Sequence, residues 1–329
     1  MSASISGPGR WLRLSNVLGP ALGLLAVLVL FAAATGAPER YLSAANLRVV
    51  LAQTVIVGLG AIGMTLIMVS AGIDLSVGAS IALTSVVTAL ALRAGSAPSA
   101  ALALGVATGG AVGLVNGAAI TGLRIVPFIA TLGMLGVARG AAKYFAAQQT
   151  VNPPSTWINE LAVTFPSRPW MLVAPGVWIT ILLAAVMTLV LTRTVFGRRA
   201  FALGSNEAAA RACGIHTTRL KLAIYAVAGL FFGLAGVMQM SRLRQGDPTV
   251  AVGVELDVIA AVVIGGGSLN GGVGSVPGAM VGALIMSFLR NGCQQMGWPN
   301  YVQEIIIGVV IVLAVAADRY RASRAAART

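Results

Sequence analysis

LRVVLAQTVIVGLGAIGMTLIMVS, residues 47–70, runs for 24 positions with one charged side chain, Arg48, at its start. About 20 mostly apolar residues suffice for a helix to cross the roughly 30 Å of bilayer hydrocarbon, so the stretch reads as a membrane span. The same ruler, moved outward, marks further apolar runs at 17–35, 75–92, 100–121, 127–145, 171–191, 222–240, 257–267, 277–291 and 301–317. The expectation is an all-α polytopic membrane protein of about ten transmembrane helices. It consists of a tail at 1–16, one membrane domain over 17–317 and a second tail at 318–329.

Composition agrees. Apolar residues are 57% of the 329 positions and charged residues 9%, against about 25% charged in a soluble domain. The +13 net charge does not point to nucleic acid, because the basic residues are scattered between apolar runs rather than gathered on one face with aromatics. Forty glycines suit helices that associate in lipid through close backbone approach. Cys213 and Cys293 fall in segments on opposite sides of the membrane and are not expected to pair. The first run, preceded by Arg10 and Arg13, looks superficially like a secretory signal, but with nine runs behind it an uncleaved first helix is the better reading.

Charge sets the orientation. An internal N-terminus assigns Arg10, Arg13, Arg124, Arg193, Arg198, Arg199, Arg211, Arg219, Lys221, Arg319, Arg321, Arg324 and Arg328 to the cytoplasm, thirteen of the 22 basic residues. Basic residues favour cytoplasmic loops, so both termini are expected inside. Segment 146–170, with Pro153, Pro154, Pro166, Pro169, Trp157 and Trp170, then lies along the outer surface, since its prolines exclude one regular helix. Segment 193–221 is the large polar cytoplasmic loop.

Residues 265–278, GGGSLNGGVGSVPG, cannot continue a helix. They are either a tight turn or irregular backbone beside a translocation route, the setting in which membranes tolerate broken helices. GIDLSVG at 72–78 interrupts an apolar run in a similar way, and Asn116-Gly117 and Asn291-Gly292 each end one. Spans two to five and seven to ten are therefore candidate units of an inverted repeat.

Absences exclude whole functions. The only lysines, Lys143 and Lys221, follow Ala142 and Leu220, so there is no Gly-Lys-Ser/Thr phosphate cradle. His216 is the single histidine, which removes HExxH zinc sites and a histidine base within a span. No catalytic or metal-binding residue, and no cofactor of the chain's own, is expected. Asp74, Arg139, Asp257 and Glu304, all near helix ends, are too few for a proton relay but leave a stand-alone secondary carrier open.

Four stretches then carry a resemblance: SAGIDLSVGA at 70–79, NGAAITGLRIVPFIATLGMLGVARG at 116–140, GRRAFALGSNEAAARACGI at 197–215, and VELDVIAAVVIGGGSLNGGVGSVPGAMVGALI at 254–285. In order and spacing they resemble the permease subunits of the ribose, xylose and arabinose type of bacterial ABC importer, over about 46–318. The resemblance implies a pathway subunit for a monosaccharide, paired with a second copy or a paralogue. It implies a cytosolic ATPase that uses ATP and Mg, and a periplasmic sugar-binding protein. Gly204, Asn206, Glu207, Ala208, Ala209, Arg211 and Gly214 resemble an importer coupling loop. A short helix starting near Asn206, with Glu207 in its first turn, would enter the ATPase; a solvated turn is the alternative. Asp74, Ser76, Asn116, Gly267, Ser268 and Asn270 are pathway candidates, with helix capping the competing role of Asp74. Glu255 and Asp257, at the outer end of span eight, either meet the binding protein or cap the helix. Which solute is carried stays open, a furanone signal or a nucleoside being alternatives to a sugar.

Overall fold

The computed structural model describes residues 10–165 and 171–326. In chain order its helices are α1 (Arg10–Ala34), α2 (Pro38–Tyr41), α3 (Ala44–Val69), α4 (Val77–Arg93), α5 (Pro98–Gly122), α6 (Pro127–Phe145), α7 (Pro175–Arg193), α8 (Val195–Ser205), α9 (Glu207–Ala212), α10 (Thr217–Leu243), α11 (Val254–Ile264), α12 (Val276–Gln295) and α13 (Asn300–Ala326), with a 3₁₀ turn at Trp157–Glu160. All ten expected runs are helical, and no strand occurs among the described residues. Helices α3, α5, α7, α10 and α12 are long and apolar enough to cross a membrane, and α4 and the apolar parts of α1 and α13 are shorter apolar helices. The chain is an all-α polytopic membrane protein. Its first helix starts at Arg10 and its last reaches Ala326, so the helix ends run into both expected tails. The tips of those tails, with Pro166, Pro169 and Trp170, lie outside the described residues.

Local chemistry sets the helix ends. Pro98, Pro127 and Pro175 each occupy a first helical position, where the missing N–H costs nothing. Ser43, Thr194, Asn206 and Ser275 accept backbone N–H bonds from Asn46, Gly197, Ala209 and Gly278 as N-caps.

Helix α3 is the core. Its apolar stretch is 89% buried, against 28% for α7 at nearly the same mean hydropathy, 2.0 against 2.1. Helix α5 meets α10 through glycine. Gly109 and Gly113 face Gly229 and Gly233 so closely that a Cβ on Gly109 would lie 2.5 Å from the Gly233 Cα, the close approach small residues permit between helices in lipid.

The same packing pattern recurs in the two halves of the chain. Helix α4 rests on α5 and α6 as α11 rests on α12 and α13, and α10 packs on α4 and α5 where α3 packs on α11 and α12. Spans two to five and seven to ten share this contact pattern. The equivalence of 72–78 with 265–278 does not hold: the connection that matches 70–76 is 244–253, between α10 and α11. Ser76 donates N–H and O–H to Asp74 Oδ1 at 2.7 and 2.6 Å, and Thr249 donates the same pair to Asp247 Oδ1 at 2.7 and 2.6 Å.

Both connections turn back into the molecule before the next helix begins. Val77, the first residue of α4, and Val258 in the second turn of α11 both pack at Gly60. Gly60 stands nine residues, or about 14 Å at 1.5 Å per residue, from the end of α3. Gly236, seven residues before the end of α10, packs on Ile81 and Thr84, beyond the α4 start. Helices α4 and α11 therefore begin near mid-depth, roughly 15 Å from either face.

Candidate functional site

The 193–221 loop folds as two short helices. The Asn206 side chain accepts the Ala209 N–H at 2.9 Å and so starts α9 where the sequence places it. Glu207 in the first turn is held from two sides, by Lys221 Nζ at 2.8 Å and by Arg211 Nη2 at 3.2 Å. Burial alone would raise the Glu207 carboxyl, but the hydrogen bond and charge of Lys221, with Arg211, outweigh it and hold its pKa below the ordinary value. Ala210 turns inward, whereas Ala208, Ala209, Arg211 and Ala212 are exposed. The result is a small apolar knob on a charged base. Gly214 has φ 81° in open space, a left-handed conformation that ends α9 and that other residues adopt at a cost.

Beside the knob is a groove of about 920 Å³, lined among others by Arg124, Val126, Pro127, Glu207, Arg211 and Lys221. A smaller recess of about 230 Å³ runs under α9 to Gly72 and Tyr225. Gly204 ties α8 to the interior: a Cβ there would strike the carbonyl oxygen of Val69 and lie 2.8 Å from the Gly272 amide nitrogen, and Gly272 N–H donates to Val69 O at 2.9 Å. One contact thus joins the loop, the end of α3 and the glycine-rich 265–275 connection.

The pathway candidates separate into two places. Asp74, Ser76 and Asn116 form one buried network, with Asn116 Nδ2 donating to Asp74 Oδ2 at 3.1 Å and to Ser76 Oγ at 3.0 Å. Gly267, Ser268 and Asn270 lie apart from it in the turn that reaches α8, where the Ser268 hydroxyl oxygen accepts the Asn270 N–H at 3.3 Å. Asp257 is 1% exposed and paired with Arg290 Nε at 2.7 Å. With the start of α11 at mid-depth, Glu255 and Asp257 are not at an outer rim, a correction to the sequence reading; no surface partner reaches Asp257 here.

Two arrangements were not read from sequence. Arg139 on α6 donates to Pro248 O and Val250 O, and Asn46 and Asn291 exchange reciprocal amide hydrogen bonds at 2.9 and 2.8 Å. A polar side chain inside an apolar run demands a buried partner; that rule marks Arg139, Arg290 and both asparagines but does not pair them.

The fold is that of a polytopic helical membrane protein carrying an exposed, charged two-helix loop. Residues 46–315 match the family described as branched-chain amino acid transport system / permease component, and the chain belongs to that family of permeases. It is 40% identical to the ribose import permease protein of Escherichia coli strain K12 over 296 residues, covering 90% of this chain and 92% of that one. It is 39% identical to the ribose import permease protein of Bacillus subtilis strain 168, covering 93% and 94%. It is 35% identical to the L-arabinose ABC transporter permease protein of Azospirillum brasilense, covering 91% and 87%. No solved structure matches the chain at a significant level.

Proposed function

We propose that this chain is the membrane-spanning permease subunit of an ATP-driven importer for a monosaccharide, working as a pair of permeases with a cytosolic ATPase and a periplasmic binding protein. The observation that carries the reading is the α9 knob, held by Glu207 to Lys221 and Arg211 and joined through Gly204 to the end of α3. A rigid, exposed apolar helix on a charged base suits insertion into a partner, and its attachment to α3 offers that partner a grip on the core. The solutes named for the relatives, ribose, L-arabinose and fructose, support a monosaccharide without selecting one. Both termini and α8–α9 lie in the cytoplasm on this reading, in the inner membrane of a bacterium. Nucleotide and Mg act in the ATPase.

Reconstitution tests it. Uptake of radiolabelled ribose or arabinose into proteoliposomes should require ATP, the ATPase and the binding protein together. Charge reversal at Glu207→Arg, or bulk at Gly214→Trp, should remove uptake and the stimulation of ATP hydrolysis while membrane insertion stays normal. Loss of a central interface contact costs about 2 kcal/mol or more, roughly thirty-fold in affinity. Ion-driven uptake by the chain alone would replace this reading with a secondary carrier.

A further inference from the structure

The two re-entrant connections share a turn but not an environment. On the 70–76 side, Asp74 and Ser76 are 1% and 0% exposed, so its polar turn is enclosed by protein. On the 244–256 side Thr249 is exposed, Val252 is 70% exposed and Leu256 44%. That surface lies near mid-depth, because a Cβ on Gly78, in the first turn of α4, would run into the Ala251 carbonyl oxygen and Glu255 Oε2. Non-helical backbone facing hydrocarbon has no partner for its amide groups and is tolerated in membranes only where protein or water covers it.

The segment is also held in place. Ala251 and Gly253 take left-handed conformations, with φ of 60° and 80°, and such strain in a non-glycine residue persists only where the surroundings over-determine it. Arg139 grips the carbonyls of Pro248 and Val250 from α6. Glu255 Oε1 accepts the Gly253 N–H at 3.3 Å, while its Oε2 stands buried at the start of α4 with no donor. Asp257 Oδ1 is likewise buried without a donor.

We infer that residues 249–256 form a wall of the aqueous route through which the solute passes at mid-depth, and that Arg139 and Glu255 are the positioning residues that hold it there. The inference rests on the permease reading. A neutral polyol needs both hydrogen-bonding groups and apolar surface for its C–H faces; Thr249 and the turn backbone supply the first, Val252 and Leu256 the second. The Thr249, Gly253, Val254 and Leu256 amides are already paired within the turn, and water in the route meets its remaining exposed polar groups.

Thiol labelling of proteoliposomes holding the full complex tests this, in a background with Cys213 and Cys293 replaced. Val252→Cys should react with a small cationic methanethiosulfonate at least tenfold faster than Leu182→Cys on the outward face of α7, and transported sugar should slow the reaction. Rates as slow as at Leu182→Cys, with quenching by brominated lipid, would overturn the wall, as would a spontaneous disulfide between two copies at position 252 that shuts the reagent out. Glu255→Gln should change the Val252→Cys labelling rate and lower uptake tenfold with ATPase association intact; unchanged labelling and uptake remove Glu255 from its role. Stimulation of ATP hydrolysis by the binding protein, read on the same vesicles, separates the two claims. Normal stimulation with an unreactive position 252 defeats the wall and keeps the permease reading. Absent stimulation with a reactive position 252 defeats the permease reading and leaves an aqueous route in a carrier.

Discussion

Asp74 and Asp247 hold the same turn in the two halves of the chain, each accepting an N–H and an O–H from the residue two positions on, yet only Asp74 is sealed inside. Asn116 closes the network over it, whereas Asp247 remains partly accessible and Thr249 is exposed. The backbone is symmetric and the desolvation is not. Removing Asp74 leaves the Ser76 N–H and O–H buried without their acceptor and Asn116 with only its bond to Ser76 Oγ, at about 1–3 kcal/mol for each unsatisfied group, while water can replace Asp247. Asp74→Ala should therefore lower the unfolding midpoint of the detergent-solubilised protein far more than Asp247→Ala. Equal midpoints for the two variants would contradict the sealed network.

Glycine offers a sharper contrast. A Cβ on Gly113 would meet the backbone of Tyr225, while one on Gly133 of α6 finds nothing within 4 Å. Gly113→Ala should push α5 off α10 and cost about 1–3 kcal/mol, the usual penalty of overpacking. Gly133→Ala fills open space and should be neutral within about 0.5 kcal/mol, or gain from helix propensity. Thermal unfolding of both variants in one detergent checks the sign at each site.

The ten apolar runs were legible because crossing hydrocarbon demands length and apolarity whatever a helix touches afterwards. For that same reason burial was not: α3 and α7 have nearly equal hydropathy, and only packing separates the core helix from the outer one. The start of α9 was legible in Asn206 and Glu207, since capping is local chemistry. The match of 72–78 with 265–278 misled because glycine interrupts helices for several reasons. The true counterpart, 244–253, is marked by Asp-x-Thr against Asp-x-Ser, a signal too short to stand out. The mid-depth start of α11 left no trace at all, because Glu255 and Asp257 look the same in sequence at a rim or in a re-entrant turn.

The orientation proposed from the basic residues is open to direct measurement. Single cysteines at Ser4, Ser155 and Ser323, in a background with Cys213 and Cys293 replaced, should be labelled by an impermeant thiol reagent in intact spheroplasts only at position 155, which is exposed. Reaction at 4 or 323 instead would invert the topology and move the α8–α9 knob to the outside, away from any cytosolic ATPase.

Acid should loosen the α9 knob. Lys221 and Arg211 favour the ionised Glu207 carboxylate and outweigh its burial, so its pKa in the folded chain is depressed below the ordinary 4.5. A depressed carboxylate stabilises at all pH above its ordinary value and loses that contribution as pH falls through the folded value; the tether is therefore complete at neutral pH and weakens only below about 4.5. The Glu207 side chain is 40% exposed, so solvent screening keeps the effect within the range of surface pairs, about 1 kcal/mol or less. Cys213, exposed at the end of α9, is placed to report it. With Cys293 replaced, a nitroxide on Cys213 should give a broad, immobilised spectrum from pH 8 to 5 that sharpens below pH 4.5. Glu207→Gln should give the sharper spectrum already at pH 7, with no further change on acidification, because its side chain has no proton to gain. A wild-type spectrum that sharpened instead as pH rose from 5 to 8 would reverse the sign and place control of the knob with a group other than Glu207.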